Sequence, residues 1–505
     1  MNANAASQEW FGHPRGLSTL FFTELWERLS YYGMRAILVL FMVDALESGG
    51  FGLTDATAAA IYGLYTAGVY LFALPGGWVA DRLIGQQQAV FWGGVIIAAG
   101  HFTMAIPIIP GLGGLEAASF YAGLVLIVIG TGLLKPAVSV IVGQLYPEKG
   151  ARRDAGFSIF YMGINIGAFV GPLLCGWLGE EVDWHLGFSA AGFGMLLGVI
   201  QYKWGLRYLD GAGDLSQDPK DVAERPQAWT KFYAGLGAIL GLGVVLFLLK
   251  DTLGLTLQGM AQATGVVIVG LAIVYFGSIL LFGGLNTQEK KRIVVIFLLF
   301  IGAAMFWSGF EQAGSSMNLF AERYTDRMVG DWEMPASWLQ SVNPLFIIIF
   351  APIFGWLWVA LASREPSIPM KFGLGLALLG SGFLVMAWGS TYIPQSENGV
   401  SPMWLIVTYF LHTAGELCLS PVGLSSVTKL SPKRLVGQMM GTWFMGAALG
   451  NLIAGLVAGR IESMPLPELF GTVATIVIVS GVLFMVFTIP IKWLIGNLKE
   501  DTEES

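Results

Sequence analysis

Charge is scarce in this chain. Only 12% of its 505 residues are Asp, Glu, Lys or Arg, whereas 55% are hydrophobic; soluble domains carry about 25% charged residues. With a mean hydropathy of +0.67, the composition excludes an ordinary soluble protein and implies a polytopic one whose solvent is the lipid bilayer. The net charge of −7 and the lack of a long basic block exclude nucleic acid as a partner. Cysteine is nearly absent. Cys175 and Cys418 both lie inside apolar runs with no metal-ligand spacing around them, so neither a disulfide, a metal nor a cofactor is expected. Of the four histidines, His13 and His185 fall outside the apolar runs, while His101 and His412 stand singly and read as structural. There is no H-E-x-x-H and no G-x-S-x-G in a triad context, which leaves a membrane enzyme without its chemistry. The first 15 residues are polar and lack a cleavable signal pattern, so membrane targeting is expected from the first span.

Long apolar runs are what the chain has instead. They fall at 17–44, 56–80, 87–109, 115–143, 155–179, 186–206, 230–249, 263–284, 292–320, 337–362, 370–389, 402–428, 436–459 and 469–491. A span needs about 20 mostly apolar residues, so each qualifies. Placing the N-terminus inside puts twenty of the 27 Lys and Arg residues on the inner connections and four on the outer ones, with Arg28, Arg35 and Lys135 left in the membrane. This asymmetry predicts fourteen spans with both termini cytoplasmic. The expected division is a six-helix bundle over 1–209, a connection with two inserted spans over 210–288, and a second bundle with a cytoplasmic tail over 289–505. The inserted spans have no interior charge and can face lipid. A weak repeat relates Pro75-Gly76-Gly77-Trp78 to Pro352-Ile-Phe-Gly355-Trp356 at equivalent exits of the two halves.

The few charges inside the spans are concentrated. In the first, Glu24, Glu27, Arg28, Tyr31 and Arg35 fall within roughly 100° of one another on a helix, with Tyr32 beside them. Charges at this depth normally face a bundle interior or a watery cavity and mark a solute or ion pathway. Lys135 lies well inside Gly130-Thr131-Gly132-Leu-Leu-Lys135-Pro136, with no acidic partner in its own helix. Phe310-Glu311-Gln312 and Gly415-Glu416 supply carboxylates in the second half. Charge balance therefore suggests Lys135 with Glu416 and Arg35 with Glu311. Asn165 and Asn343 have donors and an acceptor for a zwitterionic solute, and each equally suits a backbone carbonyl freed at a glycine or proline.

Two stretches carry a family resemblance. Gly77-x-x-Ala80-Asp81-Arg82-x-x-Gly85 resembles the loop signature of the major facilitator superfamily. Glu24-x-x-Glu27-Arg28-x-x-Tyr31-Tyr32-Gly33 and Phe160-Tyr161-x-x-Ile164-Asn165-x-Gly167 are similar to the two signatures of the proton-dependent oligopeptide transporters within it. The likeness extends through Gly130–Pro136, Phe306-Trp307 to Ser315, and Gly415-Glu416. It implies an all-α major facilitator fold, two six-helix bundles plus two inserted helices, in a multi-pass inner-membrane protein that acts as a monomer. It further implies symport of di- and tripeptides with protons by alternating access. On that resemblance, Arg35 and Lys135 meet the peptide carboxylate, while Asn165, Asn343 and Glu416 hold its amino end. Tyr32, Tyr70 and Trp443 line the pocket. Glu24, Glu27, Arg28 and Glu311 couple protons. Arg35 with Glu311 closes the outer side, and Lys135 with Glu416 the inner side. Leu29 stands where the signature has Phe, Phe310 where some relatives have a second glutamate, and the second span lacks a histidine that some members use. The alternatives are a symporter of the same fold for nitrate or an amino acid and, more distantly, an ion channel.

Overall fold

The computed structural model describes residues 9–146 and 150–496; Lys149, Lys499 and the rest of the tail after residue 496 lie outside the described residues. Fourteen helices of 19 residues or more follow one another: α1 Gly16–Val43, α2 Asp55–Val79, α3 Gln86–Met104, α4 Glu116–Gln144, α5 Ala151–Glu181, α6 Trp184–Gly205 and α7 Pro219–Leu249. After them come α8 Leu257–Phe282, α9 Thr287–Phe310, α10 Val342–Leu361, α11 Ile368–Ser390, α12 Met403–Leu430, α13 Val436–Ala458 and α14 Leu466–Val486. Eleven of the stretches they form are long and apolar enough to cross a membrane. The other three are α1, α3 and α6, and α1 carries the four charges of the stripe. Apart from two short hairpins, Glu9–Trp10 with His13–Pro14 and Met328–Val329 with Trp332–Glu333, the fold is the helical one that the apolar runs predict.

Three expectations are corrected by local chemistry. The run 292–320 is not one helix: α9 stops at Phe310, a 3-10 turn covers Glu311–Gly314, and a separate helix runs Ser316–Tyr324. Polar side chains take over there, with Gln312 Nε2 donating to the Ser308 carbonyl (3.0 Å) and Ser316 Oγ to Gln312 Oε1 (2.8 Å). The run 337–362 likewise opens as a 3-10 turn, Ala336–Ser341, before α10. The segment from about Asp210 to Gln227, whose Asp, Lys, Glu and Pro read as a polar connection, is helical from Pro219 onward, where α7 starts. Asp218 caps it by accepting from the Lys220 amide at 2.9 Å, with proline in the first turn where no N–H is needed.

The chain folds as two compact units, residues 1–37 with 68–259 and residues 38–67 with 260–505. In the first unit, α1 crosses α5 along small residues. A Cβ on Gly167 would lie 2.2 Å from the Leu25 carbonyl oxygen, and one on Gly33 would lie 2.5 Å from Cys175 Sγ. Backbones approach this closely only where side chains are missing, so these glycines hold the charged stripe at a fixed height. A buried core of Leu17, Leu20, Ile97, Leu134, Val138, Ile141, Met195 and Tyr202 backs it. The Asp81-Arg82 turn is a π-helical segment, Ala80–Ile84. Asp81 accepts from Gln86 Nε2 at 2.6 Å, and Arg82 lies 3.4 Å from both Asp221 and Glu224 on α7. No residue of α7 is buried. In the second unit, α8 buries Ile268, Ala272, Phe276 and Ile279, while Phe372, Phe383, Met386 and Phe470 fill the space among α11 and its neighbours.

Candidate functional site

Within α1 the stripe forms as its helical spacing requires. Arg28 Nε donates to Glu24 Oε1 at 2.7 Å. Glu27 Oε2 lies 3.1 Å from the same nitrogen, yet neither Glu27 oxygen is aligned to accept a hydrogen bond, and Glu24 Oε2 accepts none. The distance and the missing bond agree once direction is considered: the single Nε–H points at Glu24, so Glu27 feels the guanidinium charge without its hydrogen. All three side chains are buried. A proton arriving on Glu27 would therefore break no hydrogen bond. Two turns further on, the Arg35 guanidinium lies over the Tyr32 ring with 4.9 Å to the centroid, and Arg28 lies 5.9 Å from that of Tyr31.

Lys135 sits on α4 at a proline break. Pro136 has no N–H for the Gly132 carbonyl, and α2 passes so close there that a Cβ on Gly76 would fall 2.0 Å from the Gly132 oxygen. This crossing sets Tyr70 of α2 beneath Lys135, the ammonium 3.9 Å from the ring centroid. Asn165 is buried, and its Nδ2 donates to the Tyr161 carbonyl at 2.9 Å. Its donor end thus serves its own helix, as one of the two sequence readings held, and Oδ1 is the end that differs from a backbone plug. The first unit therefore contains Glu24, Glu27, Arg28, Tyr32, Arg35, Tyr70, Lys135 and Asn165.

The second unit contains the complementary groups, Glu311, Asn343, Glu416 and Trp443. Glu311 is buried in the 3-10 turn after α9, and its carbonyl accepts from Tyr62 Oη at 3.1 Å. Asn343 Nδ2 donates to Thr413 Oγ1 at 2.8 Å and lies 3.5 Å from Glu416 Oε2. Trp443 is buried edge-on to Phe372 (6.3 Å between centroids), in a slot that exists because residue 423 is glycine: a Cβ there would fall 2.0 Å from the indole. The two single histidines behave as structural residues. His101 Nε2 lies 3.1 Å from Ser30 Oγ, and His412 is packed between Phe383 and Phe310. No group of three or more His, Cys, Asp or Glu side chains suited to a metal occurs among the described residues.

Sequence reasoning missed four residues. Thr413 and Tyr62 carried no charge to mark them. Arg323 entered only as one of the four outer cations and Asp55, just before the second apolar run, drew no reading, yet they form a bidentate ion pair at 2.6 and 2.8 Å. Asp55 is 1% exposed and opens α2; Arg323 belongs to the short helix after α9. Only the fold brings residues 268 positions apart together. Arg323→Ala would strand a buried carboxylate, a defect that costs about 3–5 kcal/mol. The detergent-solubilised variant is expected to melt well below wild type, and Asp55→Asn with Arg323→Ala to regain most of the loss. Equal melting of the two variants would remove this pair from the forces holding the second unit together.

Comparisons with known proteins agree with the fold. The model of the POT family matches residues 87–473. The peptide transporter YePEPT of Yersinia enterocolitica subsp. palearctica is 40% identical over 498 residues, covering 97% of this chain and 96% of that protein. The di-/tripeptide transporter of Lactococcus lactis subsp. cremoris is 36% identical over 512 residues, covering 99% and 100% respectively. A crystal structure of a peptide transporter POT in complex with sulfate matches with a TM-score of 0.88 at 41% identity, over 97% of this chain and 98% of that one. These relatives are transporters.

Proposed function

The chain belongs to the POT family, and from that premise we propose that it imports di- and tripeptides together with protons by alternating access across the bacterial cytoplasmic membrane. The observation that carries this reading is the α1 stripe, where one guanidinium serves two buried carboxylates and a second arginine follows two turns on. Every dipeptide presents an ammonium and a carboxylate whatever its side chains. Cations Arg35 and Lys135 suit the carboxylate, and Asn165, Asn343 and Glu416 suit the amino end, while Tyr32, Tyr70 and Trp443 supply walls. Recognition of this dipole leaves side chains free to vary.

Coupling follows from competition for Arg28. Protonation of Glu27 removes one of the two negative charges the guanidinium answers and strengthens its hold on Glu24. Glu311 is the second proton-coupling carboxylate and releases Arg35 when protonated. Two salt bridges make the cycle two-state: Arg35 with Glu311 when the outer side is shut, Lys135 with Glu416 when the inner side is shut. The moving bodies are residues 1–209 and 289–505, with 210–288 a passenger that faces lipid. Both termini are cytoplasmic and the monomer is the working unit.

A symporter of the same fold for nitrate or a single amino acid is the rival. Uptake into proteoliposomes under an imposed inward proton gradient separates the two. Dialanine and trialanine are expected to accumulate and to compete with each other, whereas alanine and nitrate do neither. Accumulation of nitrate without dialanine would replace the peptide reading.

A further inference from the structure

The geometry points to Thr413 as a positioning residue that fixes the hydrogen-bond polarity of Asn343, so that this part of the pocket presents only acceptors to the solute. The inference rests on the reading of Asn343 and Glu416 as the pocket's amino-end partners. Thr413 is fully buried on α12 and donates its hydroxyl hydrogen to the Tyr409 carbonyl at 2.7 Å. A hydroxyl has a single hydrogen, so toward Asn343, 2.8 Å away, Thr413 can only accept. Asn343 must therefore turn its NH2 group to Thr413. Its nearest other polar neighbour on α12, Glu416 Oε2 at 3.5 Å, is also an acceptor when ionised and asks for the same orientation. The placement of nitrogen and oxygen in this amide thus follows from the chemistry of its neighbours and not from the shape of the side chain alone.

With both amide hydrogens drawn to α12, Asn343 Oδ1 is the end available to a bound solute. Together with the Glu416 carboxylate it makes a wall that takes a primary ammonium, which has three donors and a positive charge. The same wall has no donor for an acyl oxygen in the ammonium's place, and from a hydroxyl there it gains one neutral hydrogen bond and no ionic attraction. Thr413 touches no solute; it acts through Asn343. Without it only the longer contact to Glu416, 3.5 Å, holds the amide, and a flipped amide offers NH2, which repels an ammonium and welcomes an oxygen.

The test uses Thr413→Val, which keeps the shape of the side chain and removes the hydroxyl, with Thr413→Ser as the conservative variant. Transport and competition are measured in proteoliposomes with dialanine and with lactoyl-alanine, its analogue bearing hydroxyl in place of the amine. Thr413→Val is expected to raise the half-saturation concentration for dialanine about tenfold, the effect of one misdirected buried hydrogen bond, with maximal rate within about twofold. The preference for dialanine over lactoyl-alanine is expected to narrow by a similar factor, and Thr413→Ser to restore both values. If Thr413→Val does not accumulate in the membrane, Thr413→Ala carries the same two expectations. An unchanged dialanine preference in the Val or Ala variant, with Glu416→Gln still impaired, overturns the role of Thr413. Unchanged dialanine affinity in Glu416→Gln and Asn343→Ala as well would instead overturn the pocket assignment on which it rests.

Discussion

Lys135→Ala is expected to lose dialanine binding altogether, to below calorimetric detection, while the purified protein remains folded. The ammonium is held in place before any solute arrives, 3.9 Å over the Tyr70 ring, and a cation–π contact of this kind contributes about 0.5–2 kcal/mol. It therefore meets a carboxylate with little ordering left to do. Removing one partner of a buried charge pair costs about 3–5 kcal/mol, because the other charge is left without an answer in a medium of low polarity. That corresponds to a loss of about 10²–10⁴-fold in affinity. Lys135→Arg keeps the charge and the ring contact and is expected to retain measurable binding. Wild-type affinity in Lys135→Ala would place the solute carboxylate elsewhere, and Arg35 would be the next position to vary.

Glu27→Gln is expected to separate the two halves of symport. The amide is nearly the shape of the carboxylic acid but cannot release a proton, so the site is frozen as if protonated. Because neither Glu27 oxygen accepts a hydrogen bond, the substitution breaks none, and Arg28 keeps Glu24 at 2.7 Å. Peptide counterflow, which needs only the solute-bound carrier to reorient, is expected to persist. Accumulation driven by a pH gradient is expected to fall at least a hundredfold, to the level of empty liposomes. Glu24→Gln is expected to be milder for accumulation and worse for folding, since it leaves an oxygen for the Arg28 Nε–H but removes the charge that the buried guanidinium pairs with. Loss of counterflow together with accumulation in Glu27→Gln would mean that the residue serves structure, not coupling.

How much of this was legible in the sequence depended on whether the signal was local. The helices were, because an apolar run of span length has few alternatives in lipid. The Glu24–Arg28 contact was, since residues four apart must meet on a helix. The turn at Glu311–Gly314 was not. Its residues are apolar enough in aggregate to read as a continuous span, and the break depends on which carbonyls Gln312 and Ser316 reach. The start of α7 was hidden for the opposite reason, a polar composition that reads as loop until Asp218 and Pro219 are recognised as a cap. Asp55–Arg323 and the Asn343–Thr413 bond were beyond reach, as partners 268 and 70 positions apart meet only through packing. The close α1–α5 crossing shows a further ambiguity. Gly167 belongs to a family signature, yet its structural duty is to let the Leu25 carbonyl approach, so part of that signature specifies packing and only part specifies chemistry.

The claim at the centre is that a proton site and a solute-facing arginine share one helix, so that binding at one end of the stripe is felt at the other. Dialanine added outside proteoliposomes that enclose a pH-sensitive dye measures this directly. Wild-type protein is expected to acidify the lumen when dialanine enters down its own gradient, and Glu27→Gln to admit dialanine with no acidification. Acidification by the Glu27→Gln protein at the wild-type ratio of protons to peptide would show that the proton travels elsewhere and that the stripe is not its path.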